Sequence, residues 1–155
     1  MKTRRVICIG NCYLPGDDFG SRVYQRLAGG GLPGGVEVID GGLAGLNLLR
    51  YFDDCARLVF VDAIHAPDDP KGLFIFAAEA SAPLQAAPSS YGHAAGLEYL
   101  LHAARALPAQ GDFPEVFVLG ANGETSDVSI AQAAELCLQV ALNGAGGLPV
   151  QSAIL

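Results

Sequence analysis

The sequence predicts an α/β fold: a three-layer sandwich in which a mostly parallel, twisted sheet of about five strands carries helices on both faces. Three observations carry this. Short apolar runs recur at residues 6–9, 36–39, 58–61 and 116–119, as expected of strands buried on both faces. Stretches with apolar residues at helical spacing separate most of them, and strand–helix alternation implies a parallel sheet. Gly, Asn and Asp cluster just after the runs, where such sheets bind ligands, near the point where strand order reverses.

Each element follows in order. Residues 6–9 form the first strand, closed by Gly10. Phe19, Val23 and Leu27 lie four apart with Arg22, Gln25 and Arg26 between them, which reads as an amphipathic helix. Glycines 29–31 and 34–35 end it. Residues 36–39 give the second strand, leading into Asp40-Gly41-Gly42, and Leu46, Leu48, Leu49 and Phe52 suggest a short helix. The third strand, 58–61, runs into Asp62. Residues 73–76 follow too closely for a crossover helix, so that strand is expected antiparallel, at an edge. Residues 77–92, rich in Ala, Ser and Pro, read as a long loop. Leu97, Leu100, Leu101, Ala104 and Leu107 make a helical stripe, 116–119 the fifth strand, and Ser129 with Gln132 a capping box for the last helix. Residues from about 143 to 155 are expected to be a loosely packed tail on a single domain spanning 1–155.

Composition narrows the function. A net charge of −7 argues against nucleic acid, which is bound mainly through Lys and Arg on phosphates. No apolar stretch reaches the roughly 18 residues of a membrane span. Met1-Lys2-Thr3-Arg4-Arg5 has the charge of a signal peptide's first region, but the apolar run after it is too short for one. A cytoplasmic location is therefore expected. Cysteines 8, 12, 55 and 137 show no metal-type spacing and read as reduced thiols; Cys12, in the loop after the first strand, is the exception to a buried role.

Three strand ends deliver an acid, an acid and an imidazole: Asp18, Asp62 and His93. Two carboxylates and a His in one cleft form a mixed oxygen/nitrogen site suited to a divalent transition metal. The loop 10–20 first looks like a phosphate-binding turn, but Asp17 and Asp18 already occupy the helix N-terminus that would attract the anion. Either acid can instead simply stabilise that terminus, and Asp17 fits the cap better. Asp62 interrupts an apolar run, where a carboxylate needs a partner. Asp40 either serves chemistry or turns the chain through an Asx-type bond. His65, just past Asp62, is an alternative ligand; His102 falls on a polar helix face. No nucleophile elbow or zinc-protease helix is present.

Four motifs in series then resemble one family: Gly10-Asn11 with Gly16-Asp17-Asp18 and Gly20; Asp40-Gly41-Gly42 with Gly45, Leu48 and Leu49; Val61-Asp62-Ala63; and His93 with Gly96-Leu97. Their order and spacing are similar to those of the NiFe-hydrogenase maturation endopeptidases, over roughly the first 120 residues. The resemblance implies a metal-dependent endopeptidase, grouped with aspartic-type peptidases, that removes the C-terminal extension of a nickel-loaded hydrogenase large-subunit precursor. It implies Asp18, Asp62 and His93 as metal ligands, and Asp40, Gly41 and Gly42 as the catalytic and substrate-handling loop. The metal implied is nickel brought by the precursor, with zinc or cadmium substituting in vitro. A precursor-binding maturation factor without protease activity is the alternative. Two segments depart from the family pattern: Ser90-Tyr91-Gly92-His93 carries an insertion, and the loop 120–129 is short and lacks a proline.

Overall fold

The computed structural model describes residues 2–43, 45–65, 68–78, 94–106, 112–148 and 150–153. The elements run β1 (Thr3–Ile9), α1 (Phe19–Ala28), β2 (Val36–Gly42), a 3-10 helix (Leu46–Phe52), β3 (Cys55–Ile64), β4 (Gly72–Ala78), α2 (Ala94–Ala106), β5 (Glu115–Asn122), α3 (Asp127–Asn143) and β6 (Val150–Ala153). They build one sheet in the order β2-β1-β3-β5-β4-β6. Strands β1, β2, β3 and β5 are mutually parallel, β4 is antiparallel to β5, and β6 is parallel to β4.

The alternation of side chains along the strands divides the core into two layers. Val6, Cys8, Val59, Val61, Phe117 and Leu119 pack with α1 and α3, including Phe19, Val23, Ile130 and Cys137. Their neighbours Ile7, Ile9, Leu58, Phe60, Val116 and Val118 face the other way, onto Leu48, Phe52, Leu97, Leu100 and Leu101 of the 3-10 helix and α2. Both faces are thus covered, and the three-layer prediction holds. β1 sits centrally, with β2 on one side and β3 on the other, so the chain leaves β1 in one direction and returns on the opposite side. The reversal of strand order falls between β1 and β3.

Four expectations are corrected. The tail is not without structure: Val150–Ala153 form a sixth strand. The reason is β4, whose outer edge would otherwise present unpaired backbone groups; β6 covers it, so β4 is interior rather than an edge strand. The last helix opens earlier than the Ser129–Gln132 pairing suggested. Ser126 is its N-cap, its side-chain oxygen accepting from the Ser129 amide at 3.2 Å, with Asp127 in the first turn. Ser, then, is the capping residue, but one turn upstream. Finally, Asp18 rather than Asp17 occupies the N-cap position of α1, and its side chain makes no cap hydrogen bond. The long loop expected over 77–92 and the position of Leu107 lie largely outside the described residues.

Candidate functional site

The loop after β1 is a closed ring. The Asn11 amide donates to the Asp17 carbonyl at 2.9 Å and the Asp17 amide to the Leu14 carbonyl at 3.0 Å. The Asn11 side-chain oxygen accepts from the Tyr13 amide at 3.0 Å. This returns the chain to the strand end, where α1 starts against β1. Gly20 makes that contact possible, because a β-carbon there would collide with the Ile9 carbonyl group. The two adjacent acids consequently part. Asp17 is buried, whereas Asp18 is half-buried at the helix terminus.

Asp62 lies within β3, opposite Gly120 of β5, and is 5% exposed. The parity of β3 puts it on the face shared with Phe60 and Ile64, the side covered by α2. Its Oδ1 accepts from the Ala63 amide at 2.8 Å. Three residues on, His65 leaves the strand, and its Nε2 stands 3.8 Å from Asp17 Oδ1. The loop after β1 and the end of β3 therefore meet at the reversal of strand order, where an open α/β sheet binds ligands.

A cleft of about 450 Å³ opens beside this pair, with Gly16, His65, Lys71, Asn122, Gly123 and Glu124 among its walls. Asn122 escaped the sequence reading. It is 4% exposed, and its Nδ2 donates to the carbonyls of Pro70 (2.9 Å) and Asp69 (3.3 Å), fixing the chain as it enters β4. A polar residue prolonging an apolar strand run was the available signal, since a buried amide needs partners. Arg22 of α1 ties down the chain between β5 and α3, donating to the Thr125 carbonyl at 3.0 Å and the Asp127 carboxylate at 2.8 Å.

Asp40 takes the Asx role. Its Oδ1 accepts from the Gly42 amide at 3.1 Å. The β1–β2 register shifts here, pairing Cys8 with Asp40 but Ile9 with Gly42. Gly41 is the extra residue, lying so close to β1 that a β-carbon would stand 2.8 Å from Ile7 Cγ2, and Gly42 has φ +56°. Both positions call for glycine. Because Asp40 shares the register of Cys8 and Val61, it belongs to the sheet face opposite Asp62. The Cys8 thiol senses it: burial pushes that thiol far above its ordinary pKa, and the Asp40 charge adds to the rise.

Of the sequence-predicted residues, the fold thus brings the acidic loop and the end of β3 together and sets Asp40 apart. His93 lies outside the described residues, just before the first residue of α2. Among the described residues no three His, Cys, Asp or Glu side chains form a metal-holding group. The donors present near the cleft, carboxylate and imidazole, are of the kind a divalent transition metal takes.

A doubly wound α/β protein with an acid- and imidazole-bearing cleft at its switch point is the class these features define. The sequence model of the hydrogenase maturation protease family matches residues 21–136. The Hydrogenase 2 maturation protease of Escherichia coli (strain K12) is 30% identical over 115 residues, covering 74% of this chain and 68% of that protein. The structure of the hydrogenase maturating endopeptidase HybD from E. coli superposes with a TM-score of 0.62 at 27% identity, covering 92% of this chain and 88% of that one. The NiFe hydrogenase maturation protease HybD from Thermococcus kodakarensis shares the fold at 19% identity, with a TM-score of 0.62 and coverage of 91% and 99%. This chain belongs to the hydrogenase maturation protease family. Among the described residues no helix is long and apolar enough to cross a membrane.

Proposed function

We propose that this protein is an endopeptidase that removes the C-terminal extension of a hydrogenase large-subunit precursor, using the nickel already inserted there as its recognition mark. The observation that carries this reading is the meeting of Asp17 with the end of β3 at the switch point. In this reading Asp17, Asp62 and His93 supply oxygen and nitrogen donors to the precursor's nickel, and Asp17 takes the role that the resemblance implies for Asp18, because Asp17 is the one of the two that the fold buries. Bound there, the ion would supply Lewis-acid polarisation of the scissile carbonyl or of an attacking water. The chain's own residues hold and orient. The Asp40-Gly41-Gly42 edge, already shaped by its Asx turn, lies beside the approaching polypeptide.

A protein substrate also accounts for a surface feature. Tyr13 and Leu14 in the loop after β1, Leu43 just after β2 and Leu46 at the start of the 3-10 helix are exposed; the Gly10 amide joins the two segments through its 2.9 Å bond to the Gly42 carbonyl. Clustered exposed apolar side chains mark contact with another macromolecule.

The test mixes purified protein with nickel-loaded and nickel-free precursor and follows precursor mass. Loss of the C-terminal extension from the nickel-loaded form alone is expected, and its loss should disappear in a folded Asp62→Asn variant. Stable binding with no change in mass would replace the protease by a precursor-binding factor. Equal cleavage of both precursors would remove nickel from the recognition step.

A further inference from the structure

We propose that His65 is a further nitrogen donor to the divalent cation received at this cleft; the proposal rests on the metal-recognition reading above. His65 sits at the carboxyl end of β3, directly across the switch point from the loop after β1. Its Nε2 faces Asp17 Oδ1 at 3.8 Å. That separation exceeds the roughly 2.7–3.2 Å of an N–H···O hydrogen bond, so the imidazole is not simply bonded to the carboxylate. It is, however, the spacing two donors show when both bind one ion. With each about 2.0–2.2 Å from a metal, oxygen and nitrogen end roughly 3–4 Å apart at ordinary coordination angles.

The two side chains are also placed unequally in a useful way. Asp17 is largely covered, at 11% side-chain exposure, while His65 is 48% exposed and forms part of the cleft wall. A cation entering from solvent would meet the imidazole first and the fixed carboxylate behind it. An ion carried by a polypeptide arrives with ligands of its own, so a pair of protein donors is enough to add to its shell. Imidazole nitrogen and carboxylate oxygen together suit zinc, nickel or cobalt better than magnesium or calcium, which prefer all-oxygen shells. Glu124 and Lys71 line the same cleft.

The ordinary alternative is a partly exposed His–Asp ion pair, worth little to the protein. The two differ in what the His65 side chain does to metal affinity. Cobalt(II) serves as the probe, with affinity read by calorimetry and the ligand set by its absorption spectrum. Wild type, His65→Ala, His65→Gln and His93→Ala are compared, with His102→Ala, on an exposed face of α2, as control. Thermal melts confirm that each variant is folded. We expect His65→Ala and His65→Gln each to weaken cobalt binding at least about tenfold and to alter the spectrum, while His102→Ala changes neither. Unaltered affinity and spectrum in both His65 variants overturn the proposal. If His93→Ala alone removes binding, the His65 assignment falls but the metal-recognition reading stands. No cobalt binding by the wild type overturns the assignment too, and the precursor assay then decides the protease reading by itself.

Discussion

Replacing Gly20 with alanine tests whether the contact between α1 and β1 holds the site together. A β-carbon at position 20 would overlap the Ile9 carbonyl oxygen and fall 2.7 Å from the Ile9 carbonyl carbon and 2.8 Å from its nitrogen. All three are backbone atoms of a central strand, so none can rotate aside. Restoring ordinary contacts of about 3.5–4.0 Å requires α1 to retreat by a distance on the order of 1 Å. The helix would carry Phe19, Val23 and Leu27 away from the sheet. Overpacking of this kind costs about 1–3 kcal/mol, and immovable neighbours put it at the upper end. Alanine returns up to about 1 kcal/mol through helix propensity. A net loss of about 2 kcal/mol follows, which lowers the urea midpoint by roughly 1 M and the melting temperature by about 4–8 °C. Gly31→Ala is the control: nothing lies within 4 Å of its β-carbon, so its stability should stay within about 0.5 kcal/mol of wild type. Precursor processing by the folded Gly20→Ala protein should also fall, because Asp17 lies just before the displaced helix. A Gly20→Ala protein as stable as wild type would refute the packing argument.

Asp17→Asn should stop processing of nickel-loaded precursor, while Asp18→Asn should keep it and lose only the about 0.3–1 kcal/mol of a carboxylate at a helix N-terminus; mass spectrometry of the precursor and urea titration of each variant check this, and the reverse pattern would restore the assignment to Asp18. Native protein at neutral pH should react rapidly with a thiol reagent at Cys12 alone, since Cys8, Cys55 and Cys137 are buried. Raising the pH through the ordinary thiol range should add little reaction at Cys8 or Cys137, whose ionisation burial pushes upward, and unfolding should expose all four.

The layering was legible because its cause is local. Runs such as residues 58–61, apolar on both faces, can only belong to a strand covered on both sides, and the spacing of Phe19, Val23 and Leu27 fixes which side of α1 meets the sheet. The sixth strand was not legible. Val150-Gln151-Ser152-Ala153 carries no apolar run of its own, and what makes it a strand is an edge left open by β4, some seventy residues earlier. Asn122 was missed for a similar reason. Its partners are the carbonyls of Asp69 and Pro70, about fifty positions away, and nothing at residue 122 alone announces them.

The site shows the limit most sharply at Asp17 and Asp18. Both are acids at a helix start, and any rule that scores residue type and distance from the helix treats them nearly alike. What separates them is the ring closed by the Asn11 amide on the Asp17 carbonyl, together with the approach of Gly20 to Ile9. Once the loop is drawn back to the strand end, one acid is buried and the next stands at the N-cap position of the helix, where its side chain makes no cap hydrogen bond. The buried acid is then held beside the end of β3, where His65 leaves the sheet. Asp40 obeys the same logic with the opposite result: the bulge at Gly41 commits its carboxylate to the Gly42 amide and to the face of Cys8. Local sequence named the acids; backbone closure, set by glycines that touch another strand, decided which of them lies buried at the switch point.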